Sequence, residues 1–352
     1  MAINRSLMTG KKILLIQTSF IGDIILLSSA IENIHRHLAP ESIDILINQN
    51  SESLYRYHPL LRKIHSWNKK QHKYKNLIQL IGQVRKEKYD VVLNFHRYFS
   101  TGLLTAMSKV KLKAGFSDNP FSFMYDKKVP FTFHENLHEV DRNHLLLKMV
   151  FPDLQSAELS RRPVLYPSTG DRARVSIYQQ NDYLCICPSS VWFTKQLPQD
   201  RWIDLIHMLG FKGSIYLLGG PDDHRLCEDI KLNFDDKVVN LAGELTLLQS
   251  AALMQKAVIN YVNDSAPLHL ASAMNAPVCA FFCSTVTDFG FYPLADFSKV
   301  LQIEGSLYCR PCGKHGYAYC PESHFRCAYE ISLAKAVEAF YEAQQYRNEQ
   351  SD

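Results

Sequence analysis

Five segments of this chain hold residue types that could do chemistry, and most of them lie where an apolar run gives way to small and polar residues. The first is Gln17-Thr18-Ser19-Phe20-Ile21-Gly22-Asp23. A glycine at such a turn lets a ligand approach the backbone, and the N–H groups of a helix opening there can hold an anion. Asp23 reads either as a capping or first-turn residue of that helix or as a general base. The segment lacks the G-x-G-x-x-G pattern of dinucleotide-binding turns, which argues against a nicotinamide cofactor.

The second segment, Pro188 to Pro198, carries Ser189, Ser190, Thr194 and Lys195. Hydroxyls that donate hydrogen bonds, together with one lysine, suit a diphosphate; the plainer reading is a surface loop with a stray lysine. The third is Asn263-Asp264-Ser265-Ala266-Pro267-Leu268-His269. Asp264 or Ser265 can cap a helix whose first-turn N–H groups would hold phosphate oxygens, and His269, one turn further in, reads more readily as a structural residue than as a ligand contact. The fourth, Gly219 to His224, offers Asp222 and Asp223, which could accept from ribose hydroxyls or could close a plain turn. The fifth is Cys309-x2-Cys312-x7-Cys320-x6-Cys327, with His315 and His324 nearby. Structural zinc favours two close pairs, and the second pair here is wide, so the run reads more readily as a thiol-rich loop than as a zinc site in which His315 or His324 replaces a cysteine.

Elements that could position these segments alternate along the chain. Lys12 to Gln17 reads as a strand and Asp23 to His37 as a helix, with further strands at Ile43 to Ile47 and Asp90 to Phe95 around an amphipathic helix from Tyr74 to Lys88. The stretch from Phe151 to Asp182, rich in Pro, Ser and Arg, interrupts the alternation and reads as a linker. A second series follows: strands at Tyr183 to Cys187, Ser214 to Leu218, Val238 to Leu241, Ala257 to Val262 and Val278 to Phe282, with helices between them. The expected fold is α/β, with two doubly wound parallel-sheet domains over residues 1–165 and 166–330, and a last helix within 331–352 able to return to the first domain. Such sheets bind ligands at the carboxyl ends of their strands.

The 352 residues suffice for two domains, and 46% apolar with 21% charged residues is ordinary globular composition. No run approaches the roughly 18 apolar residues of a membrane span, and MAINRSLMTGKK is not read as a secretory leader, so a cytoplasmic location is expected. Nine scattered cysteines fit free thiols there. The net charge of +4 conceals an imbalance: residues 1–165 hold 24 Lys and Arg against 14 Asp and Glu, and the remainder 15 against 21. The basic first half should attract an anionic partner, and the cluster Lys69, Lys70, Lys73 and Lys75 suggests peripheral contact with a membrane.

In this order, KKILLIQTSFIGDIILLSSAI, ICPSSVWFTKQLPQDRW, NDSAPLHLASAMNAPVCAFFCST and CRPC…CPESHFRC resemble glycosyltransferase family 9, the heptosyltransferases of the lipopolysaccharide inner core. The resemblance spans residues 12 to about 330. It implies a GT-B architecture, two Rossmann-like domains facing a central cleft, with the sugar nucleotide held by the second domain and the acceptor by the first. It implies inverting, metal-independent transfer of heptose from ADP-heptose to Kdo or heptose of the lipopolysaccharide core, with no cofactor and no nucleic-acid partner. Asp23 then matches the family's base, Lys195 its lysine, Asp222 or Asp223 its ribose ligand, and Asp264, Ser265 and His269 its D-S/T-G–H motif, with Ala266 where the glycine usually stands. Ser19, Gly22, Lys69, Lys70 and Lys73 become candidate acceptor contacts, and Ser28-Ser29 stands where the family has a proline. The alternatives are a transferase using another sugar nucleotide, an epimerase on the same architecture, or a non-catalytic protein that binds phosphate or nucleic acid.

Overall fold

The computed structural model describes residues 10–131 and 136–351, and the leader reading at residues 1–9 lies outside them. The chain divides into two compact units, Met1–Tyr166 and Pro167–Asp352, a division that falls inside the Pro-, Ser- and Arg-rich stretch. The first unit runs β1 (Lys12–Ile16), α1 (Ile21–Leu38), β2 (Ser42–Asn48), β3 (Leu61–Trp67), α2 (Lys73–Glu87), β4 (Val91–Asn94), α3 (Phe99–Met107), β5 (Leu112–Phe116), β6 (Lys127–Val129) and α4 (Glu139–Val150). The second runs α5 (Thr169–Val175), β7 (Tyr183–Cys187), α6 (Gln199–Leu209), β8 (Ser214–Leu217), α7 (His224–Lys231), β9 (Val238–Asn240), α8 (Leu247–Met254), β10 (Asn260–Asn263), α9 (Ala266–Ala273), β11 (Val278–Phe282), β12 (Ser298–Gln302), α10 (Arg326–Tyr329) and α11 (Leu333–Ser351).

Each unit is a six-stranded sheet, ordered β3-β2-β1-β4-β5-β6 and β12-β11-β10-β7-β8-β9, with every pairing parallel. Counted from the first strand of each unit, the two orders are the same doubly wound plan, although no sequence repeat joins them. Helices cover both faces of such a sheet, so its central strands are apolar throughout; β7, YLCIC, is buried at all five positions. The strand order reverses between β1 and β4 and between β7 and β10. Crossovers depart in opposite directions at those points and leave the strand ends open to a ligand.

The strands absent from the sequence reading, β3, β5, β6 and β12, lie at or next to sheet edges. Edge strands carry charge that blocks further pairing, and LRKIHSW, KKV and SKVLQ therefore do not stand out by hydrophobicity. Edge strand β3 is held to β2 by Arg62, whose Nε and Nη2 donate to the buried Asp44 carboxylate at 3.1 and 2.5 Å.

The last helix is integral to the second unit instead of standing apart from it. Ala336, Ala339, Phe340 and Ala343 of α11 belong to the same buried cluster as Trp202 and Leu205 of α6, and Tyr261 Oη donates to Ala336 O at 2.7 Å. Trp202 is fully buried and meets Phe281 edge-on at 5.1 Å. Trp202→Ala should therefore cost the second unit about 3–5 kcal/mol in urea unfolding, whereas Val191→Ala, at an 81% exposed site, should stay within about 0.5 kcal/mol.

Candidate active site

The segment after β7 turns through Pro188 to a short 3₁₀ turn, Phe193–Lys195, that is pinned from below. Thr194 Oγ1 accepts from the Tyr317 N–H at 2.8 Å and from Ser284 Oγ at 3.0 Å, and Thr194 N–H donates to Tyr317 O. Thr194 is therefore a buried brace, its hydroxyl already engaged within the protein. Gly316 closes against it at φ +81°; a Cβ there would lie 2.9 Å from Thr194 Oγ1 and 3.1 Å from Lys195 Cγ.

So braced, Lys195 reaches across to the end of β10, where its Nζ lies 2.6 Å from Asp264 Oδ2. Thr285 Oγ1 donates to the same oxygen at 2.6 Å. Asn263 stitches the two strand ends together: its Oδ1 accepts from Leu197 N–H at 2.9 Å and its Nδ2 donates to Pro188 O at 2.8 Å. Ser265 Oγ points back toward Ser189 O at 3.5 Å, and Ser189 and Ser190 are half-buried on the same loop. Ser265 is the N-cap of α9, in extended conformation, yet it makes no side-chain cap hydrogen bond. The first turn, opening on Ala266, thus presents backbone donors and a positive dipole end beside a lysine.

His269 lies within α9, buried, with Nδ1 unpartnered among the described residues. Burial, and then the Lys195 charge, push its pKa down to about 4 against the opposing pull of Asp264. It is a neutral imidazole. At the end of β8, Asp223 turns its carboxylate back to accept from Gly220 N–H at 2.7 Å, closing its own turn, while Asp222 is exposed. No hydrogen bond or ion pair among the described residues joins either aspartate to the Lys195–Asp264 pair.

The cysteine-rich loop lines a pocket of about 280 Å³ with Cys309, Cys312, Cys320, Cys327, His324 and Thr194. Cys309 Sγ is 3.8 Å from His324 Nε2, but among the described residues no three His, Cys, Asp or Glu are arranged to hold a metal ion. Burial raises the Cys327 thiol to about 12, which keeps it protonated and inert. The loop also supplies Arg310, which donates to Phe282 O, Thr285 O and Gln302 Oε1 at 3.1, 2.5 and 2.8 Å and so holds the β11 end that carries Ser284 and Thr285.

In the first unit, α1 opens at the end of β1 with Phe20 as N-cap, so Asp23 is the third residue of the helix and half-buried. Thr18 Oγ1 is hydrogen-bonded to His96 Nδ1, 3.1 Å away beyond β4, and Asn48 Nδ2 donates to Ser19 O at 2.8 Å. Ser19 and Gly22 thus sit on a turn tied to the two neighbouring strands. Burial, with Lys69 and Arg97, lowers His96 to about 3. Lys69 is not a loose surface cation: its Nζ donates to Thr18 O at 2.6 Å and lies 5.0 Å from the Trp67 ring, and burial and then Lys73 lower its pKa to about 8. A pocket of about 310 Å³ opens here, lined by Thr18, Asn48, Gln49, Asn50, Trp67, Asn68, Lys69, Lys70 and Gln71. Lys70, Lys73 and Lys75 are exposed.

The residues missed from sequence are those that brace: Thr285, Ser284, Tyr317, Gly316 and Arg310 in one unit, His96 and Asn48 in the other. Ser284 and Thr285 directly follow β11, and the rule that selects residues after β7 and β10 would have found them. Tyr317 acts through its backbone, and the Arg310 guanidinium mostly through backbone carbonyls, so neither leaves a pattern.

The profile of glycosyltransferase family 9 (heptosyltransferase) matches residues 77–319. Lipopolysaccharide heptosyltransferase 3 of Escherichia coli is 24% identical over 280 residues, covering 76% of this chain and 82% of that protein. Among solved structures, the Escherichia coli ADP-heptose lipopolysaccharide heptosyltransferase II aligns with a TM-score of 0.79 at 19% identity, over 96% of this chain and 99% of that one. A family 9 glycosyltransferase from Veillonella parvula aligns with a TM-score of 0.82 at 18% identity, over 96% and 98%. The shared fold is GT-B.

The lowered pKa of His269 has a defined consequence for stability. Its folded value, about 4, lies below the unfolded value of 6.5, so its contribution is complete above pH 6.5 and is lost as the pH falls toward 4. The second unit should lose about 1–3 kcal/mol across that window, and His269→Gln should flatten the loss when urea midpoints are followed against pH.

Proposed function

We propose, because the chain belongs to glycosyltransferase family 9, the heptosyltransferases, that this glycosyltransferase moves a heptose from ADP-heptose to a sugar of the lipopolysaccharide inner core, with inversion and without a metal. The observation that carries the reading is the convergence of Lys195, the half-buried Ser189 loop and the uncapped first turn of α9 on one point at the β7–β10 switch. That is the chemistry a leaving diphosphate needs: a point charge and oriented N–H groups where negative charge develops. The relatives named above include enzymes described as using ADP-heptose and lipopolysaccharide, and that substrate pair is carried here as part of the proposal.

In this reading Asp23 accepts the proton of an acceptor hydroxyl while that oxygen attacks the anomeric carbon. The bond to the diphosphate oxygen breaks and its electron pair leaves with ADP, beside Lys195 and the α9 N-terminus. A carboxylate is a weak base in water, so the effect depends on holding it within reach of the hydroxyl. Asp264, held by Lys195 and Thr285, orients the lysine. In the first unit, Ser19, Gly22 and the amide-lined pocket with Lys69 and Lys70 are the proposed acceptor side, since amides bind sugar hydroxyls and lysine an anionic group. Asp222, exposed beside the β8 turn, is the better placed of the two candidate ribose contacts, because Asp223 is engaged by Gly220.

Peripheral contact with an anionic membrane is proposed for the α2 surface, where exposed Lys70, Lys73 and Lys75 flank Tyr74 and Ile78, 69% and 71% exposed. A cytoplasmic location follows from the same proposal.

ADP release from ADP-heptose with a deep-rough lipopolysaccharide acceptor tests the reaction. The native chain should release ADP only with acceptor, and Asp23→Asn should lower kcat by about 10² or more. Equal activity of the two proteins would remove Asp23 as base, and activity confined to another sugar nucleotide would replace the donor. On vesicles containing phosphatidylglycerol, the native chain should co-sediment and the triple change Lys70→Glu, Lys73→Glu, Lys75→Glu should release it; unchanged binding would end the membrane proposal.

A further inference from the structure

A second carboxylate of the first unit stands at the same edge of the sheet as Asp23. α1 and α4 both return from the ends of parallel strands and so run in the same direction, and they are tied together along their length. His144 Nε2 lies 2.9 Å from Ser29 Oγ and 3.3 Å from Asn33 Nδ2. From that contact Asp23 lies six residues back along α1, and Glu139 five back along α4. At about 1.5 Å of rise per residue both carboxylates fall at nearly the same height, in the first turns of neighbouring helices.

Glu139 is 5% exposed, and its Oε2 accepts from Arg142 Nη1 at 3.1 Å; Arg142 is 1% exposed. Arg142 and Arg97 lie over the same ring, Phe131, with their guanidinium carbons 5.3 and 3.5 Å from its centroid. Glu139 thus carries one guanidinium directly, with a second sharing the Phe131 ring beside it. Burial, and then the charge of Asp23, raise the pKa of Glu139, while Arg142 and Arg97 oppose the rise. Carboxylates that sense each other in this way titrate as a pair, each making the other harder to ionise.

The other groups facing α4 are otherwise engaged or solvated. Asp141 pairs with Arg161 at 2.7 Å, and His138 Nδ1 accepts from Val140 N–H as the helix cap. His144 is lowered to about 4, chiefly by burial. Lys127 and Lys128 of β6 are exposed, and Asp153 follows the last turn.

We propose that Glu139, held by Arg142, is a positioning residue that sets the basicity of Asp23. The inference rests on the reading of Asp23 as base. In the transfer step the acceptor oxygen forms its bond to the anomeric carbon, the diphosphate oxygen departs with the electron pair, and the proton goes to Asp23; Glu139 makes and breaks no bond. Because Glu139 gives up its proton late, the acid limb follows the second ionisation of the pair; in the doubly ionised state its negative charge makes proton transfer to Asp23 more favourable than the helix dipole alone would allow.

The experiment is the pH dependence of kcat for ADP release from about pH 4.5 to 9, with thermal melts alongside, for the native chain, Glu139→Gln, Glu139→Asp and Arg97→Gln. Glu139→Gln should move the acid limb down by about one pH unit and lower the plateau about 5–10-fold, with KM for both substrates within about twofold. Glu139→Asp should keep the limb near its native position, and Arg97→Gln, which removes an opposing charge, should move it up. If the limb of Glu139→Gln stays in place, or its loss follows only a lower melting temperature, Glu139 is structural and the proposal fails. If Glu139→Gln does not fold, an unmoved limb in Arg97→Gln overturns it equally. An active Asp23→Asn would instead sink the base assignment itself, so the two failures are distinguishable.

Discussion

An all-parallel sheet wound outward in both directions from its first strand is the constraint from which the rest of each unit follows. Parallel strands require a crossover for every pairing, and the crossovers place helices on both faces. The central strands are then apolar on both sides, as YLCIC and KILLI are, and have no room for a reactive group. Polar chemistry is confined to the turns, and at the strand ends of the switch points two such turns lie side by side. Gln17–Asp23 follows β1 next to the His96 turn of β4, and the Ser189–Lys195 loop follows β7 next to the Asp264 turn of β10.

Turns at a sheet edge are the least constrained parts of a fold, and here they are immobilised by hydrogen bonds from outside the motifs. Asn263 spans the ends of β7 and β10, Thr194 is locked by Tyr317 and Ser284, and Arg310 grips three acceptors around the β11 end. In the first unit the pair Ser28-Ser29, standing where the resembled family has a proline, does comparable work. Ser28 Oγ accepts from Val164 N–H at 2.8 Å and Ser29 Oγ donates to Ser160 O at 2.7 Å, so α1 anchors the segment leading to the next unit. A proline would supply neither hydroxyl.

Legibility of the sequence followed burial. β1, β2, β4, β7, β8, β10 and β11 could be read because a strand covered on both faces must be a run of apolar residues. β3, β5, β6 and β12 could not, because their lysines and arginines erase the run, whereas the edge strand β9, VVN, carries no such charge and was read. The two-unit plan, its α/β class and the motifs at the strand ends were legible for the same reason: turn chemistry and apolar periodicity are local. Lys195 and Asp264 were each visible as candidates, but their pairing across 69 residues was not.

By itself, then, the sequence determined which residues could react, and on which turns, since strand, helix and turn preferences act over a few neighbours. Only the tertiary structure decided how those residues stand. It drew Thr194 inward as a brace, turned Asp223 onto its own backbone, set Lys69 against Thr18, and brought Glu139 level with Asp23 on a helix that begins 116 residues later. Each of these depends on a contact between segments distant in the chain, and such contacts follow from packing two or more elements at once, which no window of sequence contains.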